Sequence, residues 1–222
     1  TKNYSPCKRQ LRVSKMSLVI NPRFKSFDFP REHLPTVIAD TLDENKPLKI
    51  VEVGVETGAY LDIYYPQLES ITEKFYLVDM WQYEGNEDFV DKYSGGNYNN
   101  ELEKGYDRVK RLYGDNPKVQ MCKGSSADWA EKFEDQFFDY LYLDADHSKK
   151  SVLSDLKSWY PKVKNGGIIA GHDVYCDQNN AFREHFDVEG ALAEFFSEEQ
   201  QENIHLTNEY AYRTWIFLKP EL

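Results

Sequence analysis

The chain has 222 residues, with 27 Lys plus Arg against 38 Asp plus Glu, a net charge of −11. That length is ample for one α/β core and too short for two, and the acidic balance argues against a nucleic-acid partner, which needs a basic face. The three cysteines, Cys7, Cys122 and Cys176, show neither metal spacing nor a paired framework, which fits a reducing, intracellular (cytoplasmic) compartment, and no apolar run is long enough to cross a bilayer.

Residues 1–30 carry Pro6, Pro22, Pro30 and the one basic cluster, Lys8 to Lys15. They read as an arm or cap before a main domain over 31–222. The first residue is Thr1 rather than Met, which points to a domain cut from a longer polypeptide. Arg31 to Asn45 has helical spacing through His33, Leu34, Val37, Ile38 and Leu42. Leu48 to Val51 reads as a buried strand, and it runs into Glu52-Val53-Gly54-Val55-Glu56-Thr57-Gly58. Glycines at 54 and 58 let the chain turn sharply and let backbone approach a ligand. A strand, a glycine turn and a helix start form the nucleotide site of a doubly wound α/β fold. The pattern here is E-x-G-x-x-x-G, not the dinucleotide G-x-G-x-x-G; an ordinary βα turn is the plain alternative.

Gly58 to Glu73 holds a crossover helix that Pro66 shortens or kinks. Phe75 to Asp79 is a second buried strand, and an acid at such a strand end usually binds ribose hydroxyls. Trp81 is either an adenine platform or a core residue. Residues 82–98 form a long connection of the kind that serves as a lid or binding loop. Asn99 to Tyr113 returns to helical spacing, Val119 to Cys122 is a strand, Gly124-Ser125-Ser126 a turn, and Ala127 to Phe133 a short helix.

The next strand, Phe137 to Leu143, ends in Asp144-Ala145-Asp146-His147. Ser148 to Tyr160 is helical, Pro161 ends it, Asn165-Gly166-Gly167 turns, and Ile168 to Gly171 is a short strand that delivers His172 and Asp173. Right-handed crossovers bring the carboxyl ends of parallel strands to one edge. Glu52, Asp79, Asp144, His147, His172 and Asp173 are therefore expected in one crevice. Val174 to Arg183 reads as a loop, Val188 to Phe196 as a helix, and Ile204 to Thr207 with Tyr212 to Leu218 as a terminal strand pair. Tyr83, Tyr93, Tyr98 and Tyr175 fall in predicted loops, where aromatic faces with hydroxyls suit sugars or phenols, unless they are ordinary packing.

The stretch from Asp139 to Asp173 resembles the D-x-x-x-[IL]-D-x-x-H … D-L-x-x-W-x-P-x-[VL]-x-x-G-G-x-I-x-G-H-D pattern of a family of S-adenosylmethionine (SAM)-dependent methyltransferases. Asp144, His147, Asp155-Leu156, Trp159, Pro161, Gly166-Gly167 and Gly171-His172-Asp173 carry it. The turn at Glu52 to Gly58 resembles motif I of class I members. The family includes small-molecule and sugar O-methyltransferases, is related to macrocin-type enzymes and more remotely to catechol-type ones. The resemblance implies a Rossmann-like, doubly wound, mostly parallel seven-stranded sheet with a C-terminal antiparallel strand. It implies a SAM site of Glu52, Gly54, Thr57, Gly58, Asp79, Trp81, Ser125, Ser126 and Asp144. It also implies a divalent cation, Mn²⁺ or Mg²⁺, on Asp144, His172 and Asp173, although His172 stands where metal-dependent relatives carry a carboxylate. His147, Asp144 and Asp173 are the implied catalytic residues. His147 holds the position of a catalytic Lys in catechol-type relatives, and an unperturbed imidazole suits a general base near neutrality. A neighbouring carboxylate would raise its pKa and burial would lower it. The implied reaction is O-methylation of a small acceptor, with sugars or glycans ahead of phenols. Two other classes are an NAD-dependent oxidoreductase, which lacks its fingerprint here, and a non-catalytic nucleotide-binding module.

Overall fold

The computed structural model of the chain describes residues 24–42, 46–83, 98–174, 186–209 and 212–221. Most of the loops expected over 82–98 and 174–183, the basic cluster Lys8 to Lys15, Tyr93 and Tyr175 lie outside them. Among the described residues eight strands form one sheet: β1 (Lys25–Ser26), β2 (Leu48–Val53), β3 (Thr72–Asp79), β4 (Val119–Lys123), β5 (Phe138–Leu143), β6 (Val163–Val174), β7 (His205–Leu206) and β8 (Arg213–Leu218). Their order across the sheet is β1-β7-β8-β6-β5-β2-β3-β4. The central pairs are parallel, and β8 runs antiparallel to both β6 and β7. This is the doubly wound sheet with an antiparallel C-terminal strand. It has one strand beyond the expected seven, because Lys25 and Ser26, from the expected arm, pair with β7.

Helices cover both faces, so the central strands are apolar nearly throughout. Within β2 the two-residue alternation assigns sides. Val51 and Val53 pack with Leu156, Trp159, Leu192 and Phe196, from α5 (Lys149–Trp159), from α6 (Val188–Phe195) and from the residue that follows α6. Ile50 packs on the other side with α1 (Leu34–Thr41) and α2 (Leu61–Leu68). The α1 segment is shorter than expected, because Arg31 to His33 form a 3₁₀ turn instead. Pro66 sits inside α2, and a 3₁₀ turn over Glu69–Ile71 finishes the crossover. The remaining helices among the described residues are α3 (Tyr98–Tyr113), the one-turn α4 (Ser126–Ala130) and α7 (Glu198–Gln201). No helix among the described residues is long and apolar enough to cross a membrane.

The order reverses between β2 and β5, and such a switch point opens a crevice at the carboxyl ends of the strands. Both conserve the sense of the sheet while their crossovers leave on opposite sides. The glycine turn after β2 and the acidic segment after β5 meet there.

Candidate active site

Backbone hydrogen bonds carry the strand ladder into the crevice. Gly54 N–H donates to the Val78 carbonyl (2.9 Å), Asp144 N–H to Val53 (2.7 Å) and Gly124 N–H to Asp79 (2.9 Å). Gly54 has φ of 90°, and a Cβ there would lie 2.2 Å from the Asp144 carbonyl oxygen. No side chain fits, so the glycine is what lets the β2 and β5 ends touch.

The Asp79 carboxylate binds the turn itself. Oδ2 accepts from Val55 N–H (2.7 Å) and Glu56 N–H (2.8 Å), and Oδ1 from Trp81 N–H (2.5 Å). A carboxylate has roughly four lone-pair sites, so these three bonds leave about one unused. Trp81 is 3% exposed and its indole N–H donates to the Glu56 carbonyl at 2.8 Å. It braces the turn from the core side. Arg108 Nη1 donates to the Thr57 carbonyl (2.7 Å), tying α3 to the same turn. Glu56, in the left-handed region at φ 51°, and Tyr98 at the start of α3 both lie within reach of the Asp79 charge. Burial, then the charges of Glu56 and Asp79, push the Tyr98 phenol up to about 12. Burial, then Asp144 and Asp79, raise the Glu56 carboxyl. Neither residue was singled out by the motif pattern as a ligand, although Glu56 lies inside the glycine turn.

Glu52 is 1% exposed and lies on the Ile50 side of β2, where its Oε2 accepts the Tyr64 hydroxyl at 2.8 Å. Burial, reinforced by Asp144 and Asp79, pushes its carboxyl up to about 8 against the opposing Tyr64 hydrogen bond. The acid expected to meet the cofactor is thus engaged within the α1–α2 layer. Ser125 caps α4, accepting from Asp128 N–H at 3.2 Å. Ser126 Oγ donates to Asp155 and accepts from the Trp159 indole N–H (2.8 Å). The D-L-x-x-W element therefore clamps α4 to α5, since Asp155 and Trp159 share a helix face one turn apart. Both serine side chains, expected at the cofactor, are used by the protein's own structure.

Across the crevice stands a cluster of ionisable groups. His147 Nε2 lies 2.9 Å from Asp173 Oδ2 and 3.4 Å from Asp144 Oδ1. His172 Nδ1 lies 3.0 Å from Asp173 Oδ2 and 3.8 Å from Asp144 Oδ1. A bulge in β6 builds the cluster. The β6–β8 register shifts between Gly171 and Val174, and Asp173 takes φ of 63°, a left-handed conformation that Asp tolerates better than most residues. At Gly171 a Cβ would meet the Leu143 carbonyl oxygen at 2.6 Å and the Trp215 indole at 2.7 Å, so only glycine fits between β5 and β8. Burial alone would lower the His147 pKa, but the bonds to Asp144 and Asp173 raise it to about 10. Burial would raise Asp173, yet His147 and His172 hold it well below the usual carboxylate range. The Phe186 ring stacks on His147, with centroids 5.1 Å apart, and Asp187 N–H donates to the His147 carbonyl (3.0 Å).

Ligating atoms of Asp144, His147 and Asp173 lie within 4.8 Å of one another. Two carboxylates and an imidazole suit a divalent cation of the Mn²⁺ type. This cluster shares Asp144 and Asp173 with the expected set and has His147 where that set has His172, whose Nε2 is 3.1 Å from Arg31 Nη1. Arg31 and Phe186 belong to no motif and were missed; only their fold positions reveal them.

Residues 51–174 match the family described as a methyltransferase domain, more than half of the chain. No curated protein matches. Among solved structures, a protein from Corynebacterium glutamicum is similar at a TM-score of 0.55 and 13% identity, over 86% of this chain and 81% of its own. A SAM-dependent methyltransferase from Aquifex aeolicus is similar at 0.52 and 13% identity, over 86% and 94%. An O-methyltransferase family protein from Burkholderia thailandensis reaches 0.50 at 13% identity, with 86% of this chain on 56% of that protein. At such identities the likeness is one of fold.

Proposed function

The chain belongs to the methyltransferase-domain family and is a SAM-dependent methyltransferase, and on that premise we propose that it methylates a hydroxyl oxygen of a small acceptor, with a sugar or glycan ahead of a phenol. The observation that carries this reading is the Asp144–His147–Asp173 cluster beside the glycine turn, with His147 Nε2 2.9 and 3.4 Å from the two carboxylates. Such a cluster can hold a hydroxyl and offers a carboxylate to take up the proton that the hydroxyl loses on methylation. The net charge of −11 favours a small neutral acceptor over a polyanion.

Bound SAM supplies an electrophilic methyl group for in-line displacement. The chain's part is alignment, which can account for a large share of such a rate. The turn at Gly54 to Gly58 and Asp79 are proposed to hold the adenosine end, and the crevice between them and Asp144 the methyl-bearing end. Asp144, with 20% of its side chain exposed, is the carboxylate more open to the acceptor, against 10% for Asp173.

The bonds to Asp144 and Asp173 raise the His147 pKa and favour its charged form, so it is no ready base in that state. Two acids aimed at one point need a positive charge between them. The imidazolium provides it here, and a divalent cation held by Asp144, His147 and Asp173 would provide it equally. Such an ion would lower the pKa of a hydroxyl beside it. We therefore propose a metal-assisted site.

Mass-shift screening with SAM against a panel of sugars and catechols, with and without chelator, tests the reading. Methylated sugar that disappears with EDTA and returns with Mn²⁺ or Mg²⁺ is the expected result. Methylation of catechols alone would transfer the assignment to phenolic acceptors; undiminished turnover in chelator would eliminate the cation.

A further inference from the structure

His172 occupies the most restricted position of the cluster. Both ring nitrogens are engaged: Nε2 lies 3.1 Å from Arg31 Nη1, and Nδ1 lies 3.0 Å from Asp173 Oδ2. A guanidinium carries N–H donors, has no acceptor and does not deprotonate in proteins. Two donors cannot share a hydrogen bond, so Nε2 accepts. The ring proton is then on Nδ1 and is donated to Asp173. In water the neutral ring favours the opposite form, with its proton on Nε2. The Asp173 oxygen that receives this proton is the one 2.9 Å from His147 Nε2.

Arg31 is itself well held. Its guanidinium lies 4.7 Å above the Tyr60 ring, and Tyr60 stacks on Tyr142 with centroids 4.7 Å apart. Its backbone N–H donates to the Glu209 carboxylate. It comes from the 3₁₀ turn before α1, outside the matched residues 51–174.

We propose that Arg31 is a positioning residue: it fixes His172 with its proton on Nδ1, and so orients the Asp173 carboxylate for the cluster with His147 and Asp144. His172 then acts behind the ligands rather than among them. Partners of this kind orient ligands, and their loss typically lowers metal affinity about 10–100-fold. The tautomer follows from the hydrogen bonds alone; its consequence for a cation rests on the metal reading above.

Long-range ¹H–¹⁵N correlation spectra of the full chain read the tautomer directly. The wild type should show His172 with Nδ1 protonated and Nε2 bare. Arg31→Met should move the proton to Nε2. Arg31→Lys should keep the wild-type pattern, because an ammonium also only donates. A wild-type ring protonated on Nε2, or an Arg31→Met ring still protonated on Nδ1, overturns the proposal. If Arg31→Met does not fold, the wild-type spectrum alone still decides the tautomer.

Mn²⁺ titration followed by electron paramagnetic resonance reads the consequence. Arg31→Met should weaken binding about 10–100-fold. In a His172→Asn background it should add little, because the asparagine amide donates to Asp173 without an Nε2 partner. Equal losses in both backgrounds would show that Arg31 acts by another route and overturn the positioning role. A wild type that binds no Mn²⁺, with the Nδ1 pattern present, would overturn the metal reading and leave the tautomer standing.

Discussion

Glu52→Gln should stabilise the protein, and increasingly so as the pH rises. The carboxyl is fully buried, accepts one hydrogen bond from Tyr64 at 2.8 Å, and has its pKa raised from an ordinary 4.5 to about 8. Below pH 4.5 both folded and unfolded chains hold the proton, and the linkage term is zero. Between 4.5 and about 8 the unfolded chain releases the proton while the folded chain keeps it. Folding then loses about 1.4 kcal/mol for each pH unit. By pH 7 the loss approaches about 3 kcal/mol, and it levels off near 5 kcal/mol once the folded carboxyl also ionises. Glutamine keeps an oxygen for the Tyr64 hydroxyl and has no proton to lose. Urea unfolding of both proteins from pH 4.5 to 9 should therefore diverge. At pH 7 the thermal midpoints should differ by about 5–10 °C for a domain of this size. Parallel pH profiles would show that Glu52 titrates alike in both states, and the burial argument would fail. An advantage for glutamine that shrinks as the pH rises would fail it more severely.

Asp79→Ala should weaken SAM binding by about one to two orders of magnitude, the loss of a charge-assisted hydrogen bond of roughly 1.5–3 kcal/mol. Calorimetric titration of a folded variant with unchanged affinity would refute the ribose role. His147→Ala should lower turnover at least about 10–100-fold at saturating acceptor, because it removes the charge or metal ligand between Asp144 and Asp173, with SAM affinity little altered; a loss confined to acceptor affinity would make it a binding residue. Ser126→Ala should destabilise by about 1–3 kcal/mol, because Asp155, whose carboxyl burial already pushes up to about 6, loses its donor. A variant as stable as wild type in urea would show that the α4–α5 clamp contributes nothing.

The sheet was legible because its strands are short apolar runs that end in acids or glycines. The convergence of Asp144, His147 and Asp173 followed from handedness alone. Three features were not legible, each for a different physical reason. Glu52 sits on a strand buried on both faces, where two-residue alternation shows that it opposes Val51 and Val53 but not which face borders the crevice. That His147 rather than His172 completes the cluster with Asp144 and Asp173 depends on the β6 bulge, which turns successive side chains in directions that an unbroken strand would not. The D-L-x-x-W pattern could be recognised as a motif, yet its work is the contact of Asp155 and Trp159 with Ser126, in a segment about thirty residues earlier.

Trp215, from β8, fills the space against Gly171 immediately before the bulge that carries His172 and Asp173. The matched family segment ends at residue 174, so this indole lies outside the matched residues. Cutting the protein at that boundary for recombinant work would retain every motif and strip β6 of its antiparallel neighbour. The freed edge would expose unpaired backbone beside an emptied tryptophan socket, a template for aggregation. Module boundaries drawn from sequence similarity and those drawn from mechanical support therefore differ in this protein, and the second should set the ends of any shortened form.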